Sequence, residues 1–310
     1  MTTLERVESF VPAKVARIED FGERLGLRRA ELGVFRKFYG LDELRYDPDL
    51  TLFDLALPAA RRALAALPEG GRVDYLVYAH TTQAVTPPDV EAAQVLRAEL
   101  GLSGEAFGLS QQACVSSLGA IDVVARLLAG TDGYALVVTG ERAFSPATQL
   151  IPNMAIMADA AGACLVAADG RGDVVRSFTT RTLGEYADWL ALTPERSTEF
   201  GQLYGPVLAE VVAEALARAG VGLDDVERII PHNVNGLAWK QTIKALGVPA
   251  EKVFLDNVKR YSHTYASDVF VNYTTMRDAG SLVDGGHYVL VSVGLGATFG
   301  AMVITHREGT

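Results

Sequence analysis

Apolar positions along this chain switch repeatedly between helical spacing and short continuous runs, and each switch marks an element. Thr51–Leu67 carries apolar residues at helical spacing (Leu52, Leu55, Ala56, Ala59, Ala60, Leu64). Val73–Ala79 is a continuous apolar run of strand length. Pro87 and Pro88 then open a predicted helix reaching Leu100, with Pro88 suited to its first turn. A short apolar segment, Ala106–Leu109, enters a helical pattern over 114–130 (Ile121, Val124, Ala125, Leu127, Leu128). Tyr134–Gly140 and Ala160–Ala168 complete the first half as buried strands, with Asp169-Gly170 as a turn. Before residue 51 the pattern is mixed, with Glu19–Leu25 and Arg28–Phe38 reading as helical.

From Val174 the order starts over. A strand at Val174–Thr179 is followed by a helix at Pro206–Ala219, a strand at Val226–Pro231 and a helix at Leu237–Leu246. A short strand at Val253–Leu255, a helix at His263–Ala279 and strands at Tyr288–Val293 and Ala297–Ile304 close the chain. The stretch 180–205, with Trp189, Pro194 and Tyr204, is the least regular and is assigned to shaping a pocket. Alternating strands and helices predict an α/β protein with mainly parallel sheets covered by helices. The repeated order predicts two halves, 1–170 and 171–310, about a pseudo-twofold, with a site where they meet. The helices at 114–130 and 263–279 are then equivalent, one opening with Cys114 and the other with His263. His232 follows the carboxyl end of a strand, where sites in parallel sheets form.

Composition narrows the function. The 310 residues are 49% hydrophobic and 21% charged, with a net charge of −10. That balance argues for a globular chain with a large core and against nucleic-acid binding, which needs a basic surface. Only two cysteines are present, Cys114 and Cys164, so neither a disulfide framework nor a metal-ligand cluster is expected. The first residues lack the apolar stretch of a signal peptide, and no apolar run reaches membrane-spanning length. The expected location is the cytoplasm.

Cys114 is the candidate nucleophile. It falls at a strand-to-helix turn, where unpaired N–H groups and partial positive charge favour a thiolate over a thiol. Small neighbours (Ala113, Ser116, Ser117, Gly119, Ala120) leave room for a substrate. The competing reading is a buried structural cysteine.

These residues resemble the thiolase superfamily, and within it the β-ketoacyl-ACP synthase III (KAS III) group. The marks are Ala113-Cys114, Thr139-Gly-Glu141, Ala158-Asp-Ala-Ala-Gly162, His232-Asn-Val-Asn235 and Gly294-Leu-Gly-Ala-Thr-Phe-Gly300, over roughly 50–310. The resemblance implies a thiolase-like fold of duplicated halves layered α-β-α-β-α, a homodimer, and acyl groups carried on the cysteine. It implies a donor on coenzyme A or acyl carrier protein, reached through a pantetheine arm, with no metal or redox cofactor. The glycine stretch at 294–300 lies between two strands with no helix following, so it does not fit a dinucleotide site. Its expected role is a tight turn whose backbone N–H, near Leu295 or Gly296, joins that of Cys114 in an oxyanion hole.

One position departs from the family. Condensing members pair the cysteine with a histidine and an asparagine, both donating to the thioester carbonyl of a malonyl group as it loses carbon dioxide. His263 stands at the asparagine position, with Asp268 five residues on, while Asn257 is off register. A bond between His263 and Asp268 requires His263 at or before the helix cap, with Ser262 as the expected N-cap. A histidine oriented by a carboxylate accepts a proton, which an amide does not. The arrangement resembles the acyltransferring, ester-forming branch of KAS III-like enzymes in natural-product pathways.

The expected activity is therefore acyl transfer from a CoA or ACP thioester, through acyl-Cys114, to a small-molecule hydroxyl or amine. Cys114, His263, Asp268 and His232 are the catalytic candidates, and Asn235 and His80 the substrate-binding ones. His80 also fits a satisfied structural histidine. The alternatives are a decarboxylative condensing enzyme and, from another class, a non-catalytic partner subunit of a heteromeric assembly. Lys240 and Lys244, near Trp239, and Arg36 and Lys37 are read either as a carrier-binding patch or as a solvated face.

Overall fold

The computed structural model describes residues 1–188 and 192–308. Among them thirteen strands run in chain order. These are β1 (Thr3–Phe10), β2 (Val15–Arg17), β3 (Glu43–Arg45), β4 (Val73–Ala79), β5 (Glu105–Leu109), β6 (Tyr134–Glu141), β7 (Leu150–Ile151), β8 (Ala155–Ile156), β9 (Ala160–Ala167), β10 (Asp173–Thr182), β11 (Val226–Ile230), β12 (His287–Gly294) and β13 (Thr298–Thr305). Nine form one sheet in the order β11-β12-β13-β10-β1-β9-β6-β4-β5, while β2-β3 and β7-β8 are separate ribbons.

The sheet repeats itself about its middle. From β1, the pairings to β9 and β6 are antiparallel, and those from β6 to β4 and β4 to β5 are parallel. From β10, the pairings to β13 and β12 are antiparallel, that from β12 to β11 is parallel, and Val253 adds a parallel bridge to Ile229. Thr3↔Val174 and Leu4↔Asp173 join the two series, with Val175 N–H donating to the Thr2 carbonyl beside them. The helices Ser116–Leu127 and Asp268–Asp278 bury Leu118, Ile121, Val124, Val269, Phe270 and Met276 in one core with strands of both series. Leu52–Leu64 and Ala92–Glu99 cover the outer face of one series, and Pro194–Ala219 and Gly236–Leu246 that of the other. The result is the α-β-α-β-α layering of a thiolase-like α/β fold.

Several expectations need correction. The central strand β1 was unread because Glu5, Arg6 and Glu8 break its apolar run; it is buried in pairs rather than continuously. The helix before β5 begins at Ala92, not at the prolines. Pro88 disfavours helical backbone at Pro87, and Val90 N–H turns back to the Pro87 carbonyl instead. Val253–Leu255 makes only the single bridge, not a strand. The helix read from Pro206 starts at Pro194, so half of the irregular stretch is helical and Pro206 lies inside it. Trp189 lies outside the described residues.

Ser262 is not an N-cap. It ends the preceding helix, Asp256–Tyr261, at φ 58°, and its hydroxyl donates to the Ile156 carbonyl. A 3-10 turn at Tyr265–Ser267 follows, and the α-helix opens on Asp268 itself. His263 therefore precedes the helix, bridged to Met157, with Ala158 N–H donating to its carbonyl at 2.8 Å.

Two glycines set the distances that matter. A Cβ on Gly162 would lie 2.5 Å from Phe270 Cδ2, so the small residues of β9 let the helix carrying Asp268 sit directly on the sheet. A Cβ on Gly294 would lie 2.1 Å from the Gln112 carbonyl oxygen, so the end of β12 is pressed against the turn that holds Cys114.

Candidate active site

The carboxyl ends of parallel strands converge on one sulfur. Thr81 follows β4, Cys114 follows β5, Glu141 ends β6, His232 follows β11 and Gly294 ends β12. Cys114 lies in a 3-10 turn, Ala113–Val115, that runs into the helix Ser116–Leu127. Gln111 and Ala113 hold positive φ angles of 75° and 47°, a strain that non-glycine residues carry mainly at functional turns. The Ser292 hydroxyl donates to the Cys114 carbonyl at 2.8 Å and fixes the turn from below.

His263 Nε2 is 3.3 Å from Cys114 Sγ, and His263 Nδ1 is 2.5 Å from Asp268 Oδ2. Both residues of this ion pair are buried. Asp268 is saturated with donors. Oδ2 also takes the Asn233 N–H at 2.6 Å, and Oδ1 takes the Thr264 N–H at 2.7 Å and its hydroxyl at 2.6 Å. Burial is the largest influence on each partner and opposes its charge. For His263 it is outweighed by the Asp268 carboxylate and then by Cys114, which hold the imidazole well above its ordinary value. For Asp268 it is outweighed by His263 and the Thr264 and Asn233 donors, which hold the carboxyl below the usual range. The site therefore keeps an imidazolium–carboxylate pair beside the sulfur.

His232 sits in the opposite environment. Its ring centroid is 5.9 Å from that of His263. Burial, then repulsion from His263, pushes it down to about 3, so it is neutral. Nε2 is 2.7 Å from the Tyr204 hydroxyl, while Nδ1 is buried with no partner. Trp239, on the next helix, donates its indole N–H to the His232 carbonyl at 2.8 Å, and Asn272 Nδ2 donates to Pro231 and Asn233.

A small cavity of about 20 Å³ touches the sulfur, walled by Cys114, Phe200, Tyr204, His232, His263 and Leu295 among others. It adjoins a wider one of about 430 Å³ that shares Ile151, Met154, Phe200, Tyr204, Val234 and Leu295 with it. The Thr81 hydroxyl donates to Cys114 Sγ at 3.8 Å. Glu141 anchors that loop by accepting the N–H of Thr81 at 2.7 Å and both N–H and hydroxyl of Thr82 at 2.8 Å.

The structure thus brings Cys114, His263, Asp268 and His232 together with Leu295. It does not bring the others. Gly296 lines only the wider cavity, and Val293, Gly294 and Leu295 are the turn residues at the sulfur. His80 turns away: it stacks on Tyr78, its Nδ1 lies 2.6 Å from the Thr82 carbonyl, and it lines neither cavity. Asn235 reaches the wider cavity but is committed as the N-cap of Gly236–Leu246, accepting from Ala238 N–H and donating to the Met154 carbonyl. Lys37, Lys240 and Lys244 are exposed, and Arg36 pairs with Glu19. Tyr204, named with the stretch 180–205 as shaping a pocket, lines both cavities, but its bond to His232 was not anticipated. Thr81 and Thr264 were not singled out, and no local pattern marks them.

A duplicated five-layer fold with a cysteine at the central helix start and two histidines around it defines an acyl-thioester enzyme of thiolase type. Residues 216–306 match the model of the 3-oxoacyl-[acyl-carrier-protein] synthase III C-terminal family. A β-ketoacyl-[acyl-carrier-protein] synthase III of Rubrobacter xylanophilus is 30% identical over 265 residues, covering 80% of this chain and 81% of the relative. One of Clostridium perfringens is 24% identical over 299 residues, covering 89% of each. FabH of Pseudomonas aeruginosa PAO1 superposes with a TM-score of 0.82 at 25% identity, over 100% of this chain and 99% of that one. The ChlB3 acyltransferase superposes at 0.85 with 20% identity, over 99% and 98%. The chain belongs to the β-ketoacyl-[acyl-carrier-protein] synthase III family and is a condensing or acyl-transferring enzyme of that kind. Among the described residues no helix is long and apolar enough to cross a membrane.

Proposed function

We propose that this enzyme transfers an acyl group from a coenzyme A or acyl-carrier-protein thioester to an acceptor hydroxyl, by way of acyl-Cys114. The observation that supports it is the Cys114–His263–Asp268 line: 3.3 Å from sulfur to Nε2 and 2.5 Å from Nδ1 to carboxylate. In the first step Cys114 Sγ attacks the thioester carbonyl. The departing thiol takes the proton from His263 Nε2, and the oxyanion is held by backbone N–H groups at the helix start and at the 293–295 turn. In the second step the acceptor O–H gives its proton to the now neutral His263 as its oxygen attacks the acyl carbon. The ester leaves, and the Cys114 sulfur returns to its contact with the reprotonated His263. Asp268 fixes the Nδ1–H tautomer and stabilises the imidazolium formed in that step.

The experiment is Asp268→Asn, followed by mass spectrometry of Cys114 and by product analysis. The acyl mass on Cys114 persists, while ester formation falls by about 10²- to 10⁴-fold. Equal loss of both steps would remove the reason for calling His263 a base. The synthase names of the relatives favour a second reading, decarboxylative condensation. Carbon dioxide release and a β-keto product from a malonyl thioester would establish that reading instead.

A further inference from the structure

Tyr204 stands between the two readings. It projects from the helix Pro194–Ala219, is 6% exposed, and lines both cavities. Its ring is fixed edge-on by Phe200 at 5.9 Å and Phe299 at 5.8 Å. Its hydroxyl is 2.7 Å from His232 Nε2, the ring nitrogen bonded at the sulfur's cavity. His232 is neutral and so carries one N–H. Were that hydrogen on Nδ1, a buried donor would be left without a partner, which costs more than an unpaired lone pair. With the hydrogen on Nε2 that cost is spared: Nε2–H donates to the Tyr204 oxygen, and the phenol's own hydrogen is left to point into the cavity that Tyr204 lines.

Loss of carbon dioxide from a malonyl thioester leaves the C–C electron pair as an enolate, whose oxygen must be met by preorganised donors. In the free enzyme, where the imidazolium–carboxylate pair is intact, His263 Nε2–H is one such donor beside the sulfur. His232 Nε2–H would be the second, but its hydrogen is already engaged.

We infer that Tyr204 is a reaction-selecting residue: by occupying the only N–H of His232 it suppresses malonyl decarboxylation and leaves the site to acyl transfer. This rests on the transfer reading above. Tyr204 acts through His232 and takes no part in loading Cys114.

The test compares the wild type with Tyr204→Phe and Tyr204→Leu, using malonyl-CoA for carbon dioxide release and acetyl-CoA for acyl mass on Cys114. The expected result is slow release by the wild type, a rise of at least about tenfold in both variants, and acyl mass still present on Cys114. The rise disappears in Tyr204→Phe combined with His232→Leu, whose side chain carries no N–H. Release at the wild-type rate in both variants overturns the inference and leaves the transfer reading intact. A rise that survives removal of His232 also overturns it. Loss of acyl mass in both variants overturns it too, because the phenol's own hydrogen would then be serving the acyl carbonyl. Fast release by the wild type instead strikes at the transfer reading itself.

Discussion

His263 and His232 are the same side chain, buried to 2% and 1% exposure, with rings 5.9 Å apart, yet they hold opposite protonation states. Burial disfavours the charged form of both and so cannot separate them. The neighbours do. His263 has a carboxylate 2.5 Å from one nitrogen and a sulfur 3.3 Å from the other. His232 has a phenol on one nitrogen and nothing on the other, and the positive His263 repels its charge. One ring is thus equipped to move a proton and the other to keep its own. Both rings come from the C-terminal series of elements, and a single aspartate made them unequal.

The largest break in that asymmetry comes from removing each ring in turn. His263→Gln is expected to lower steady-state transfer by about 10³-fold, the scale of losing a positioned general base. His232→Gln is expected to stay within about tenfold, since its N–H is spent on Tyr204. Matched initial-rate measurements on the two variants check this. Equal losses would mean that both rings serve the reaction directly.

The pH dependence of stability sharpens the same contrast. The folded value of His232 is about 3 against an ordinary 6.5, so below 6.5 the unfolded chain takes up a proton that the native state refuses. This lowers wild-type stability as pH falls from 6.5 towards 3, by about 2 kcal/mol at pH 5. His263 has the other sign: its raised folded value gives stability that is fully present below 6.5 and lost as pH climbs through that raised value. Asp268, with a lowered folded value, contributes fully above 3.8 and loses that contribution as pH falls through it. Urea unfolding at pH 7 and pH 5 should therefore show His232→Gln losing about 2 kcal/mol less than the wild type over that interval. His263→Gln should not share this relief. An identical pH 7 to pH 5 difference in the wild type and His232→Gln would contradict the neutral assignment.

Much of this site could be read from the chain. Cys114 at a strand-to-helix turn and His263 five residues before Asp268 follow from spacing, and the duplicated order brought them face to face. What could not be read lies in backbone geometry and long-range contact. Ser262 was expected to cap a helix because serine often does, but its φ of 58° turns the chain sharply and hands the helix start to Asp268. The oxyanion N–H is expected near Leu295 or Gly296; Leu295 reaches the sulfur's cavity and Gly296 does not, and the 2.1 Å approach to Gln112 shows that the close contact with the sulfur's turn is made at Gly294. His80, which follows a strand, fits either a pocket residue or a satisfied structural histidine from the chain alone, and stacking on Tyr78 with its Nδ1 on the Thr82 carbonyl decides for the second. The Tyr204–His232 contact spans 28 residues and two elements, and no local pattern announces it.

The smallest effect is expected at Thr264, and it asks how the carboxylate that separates the two histidines is itself held. Asp268 takes four donors, and the Thr264 hydroxyl at 2.6 Å is the one that can be deleted nearly isosterically, by Thr264→Val. The backbone N–H groups of Thr264 and Asn233 remain, so Asp268 stays ionised at neutral pH and His263 stays paired. Transfer should therefore fall by less than about tenfold. Stability at pH 7 should fall by roughly 1.5 kcal/mol, the lower range for a hydrogen bond to a charged group. That deficit should shrink as pH falls through the variant's own lowered Asp268 value, because the hydroxyl is one of the groups holding the carboxyl down and a protonated Asp268 needs it less. Urea midpoints measured from pH 7 downward, as far as the fold persists, read the difference directly. A collapse of transfer as deep as that of His263→Gln would mean the charge depends on this one hydroxyl rather than on the four donors together.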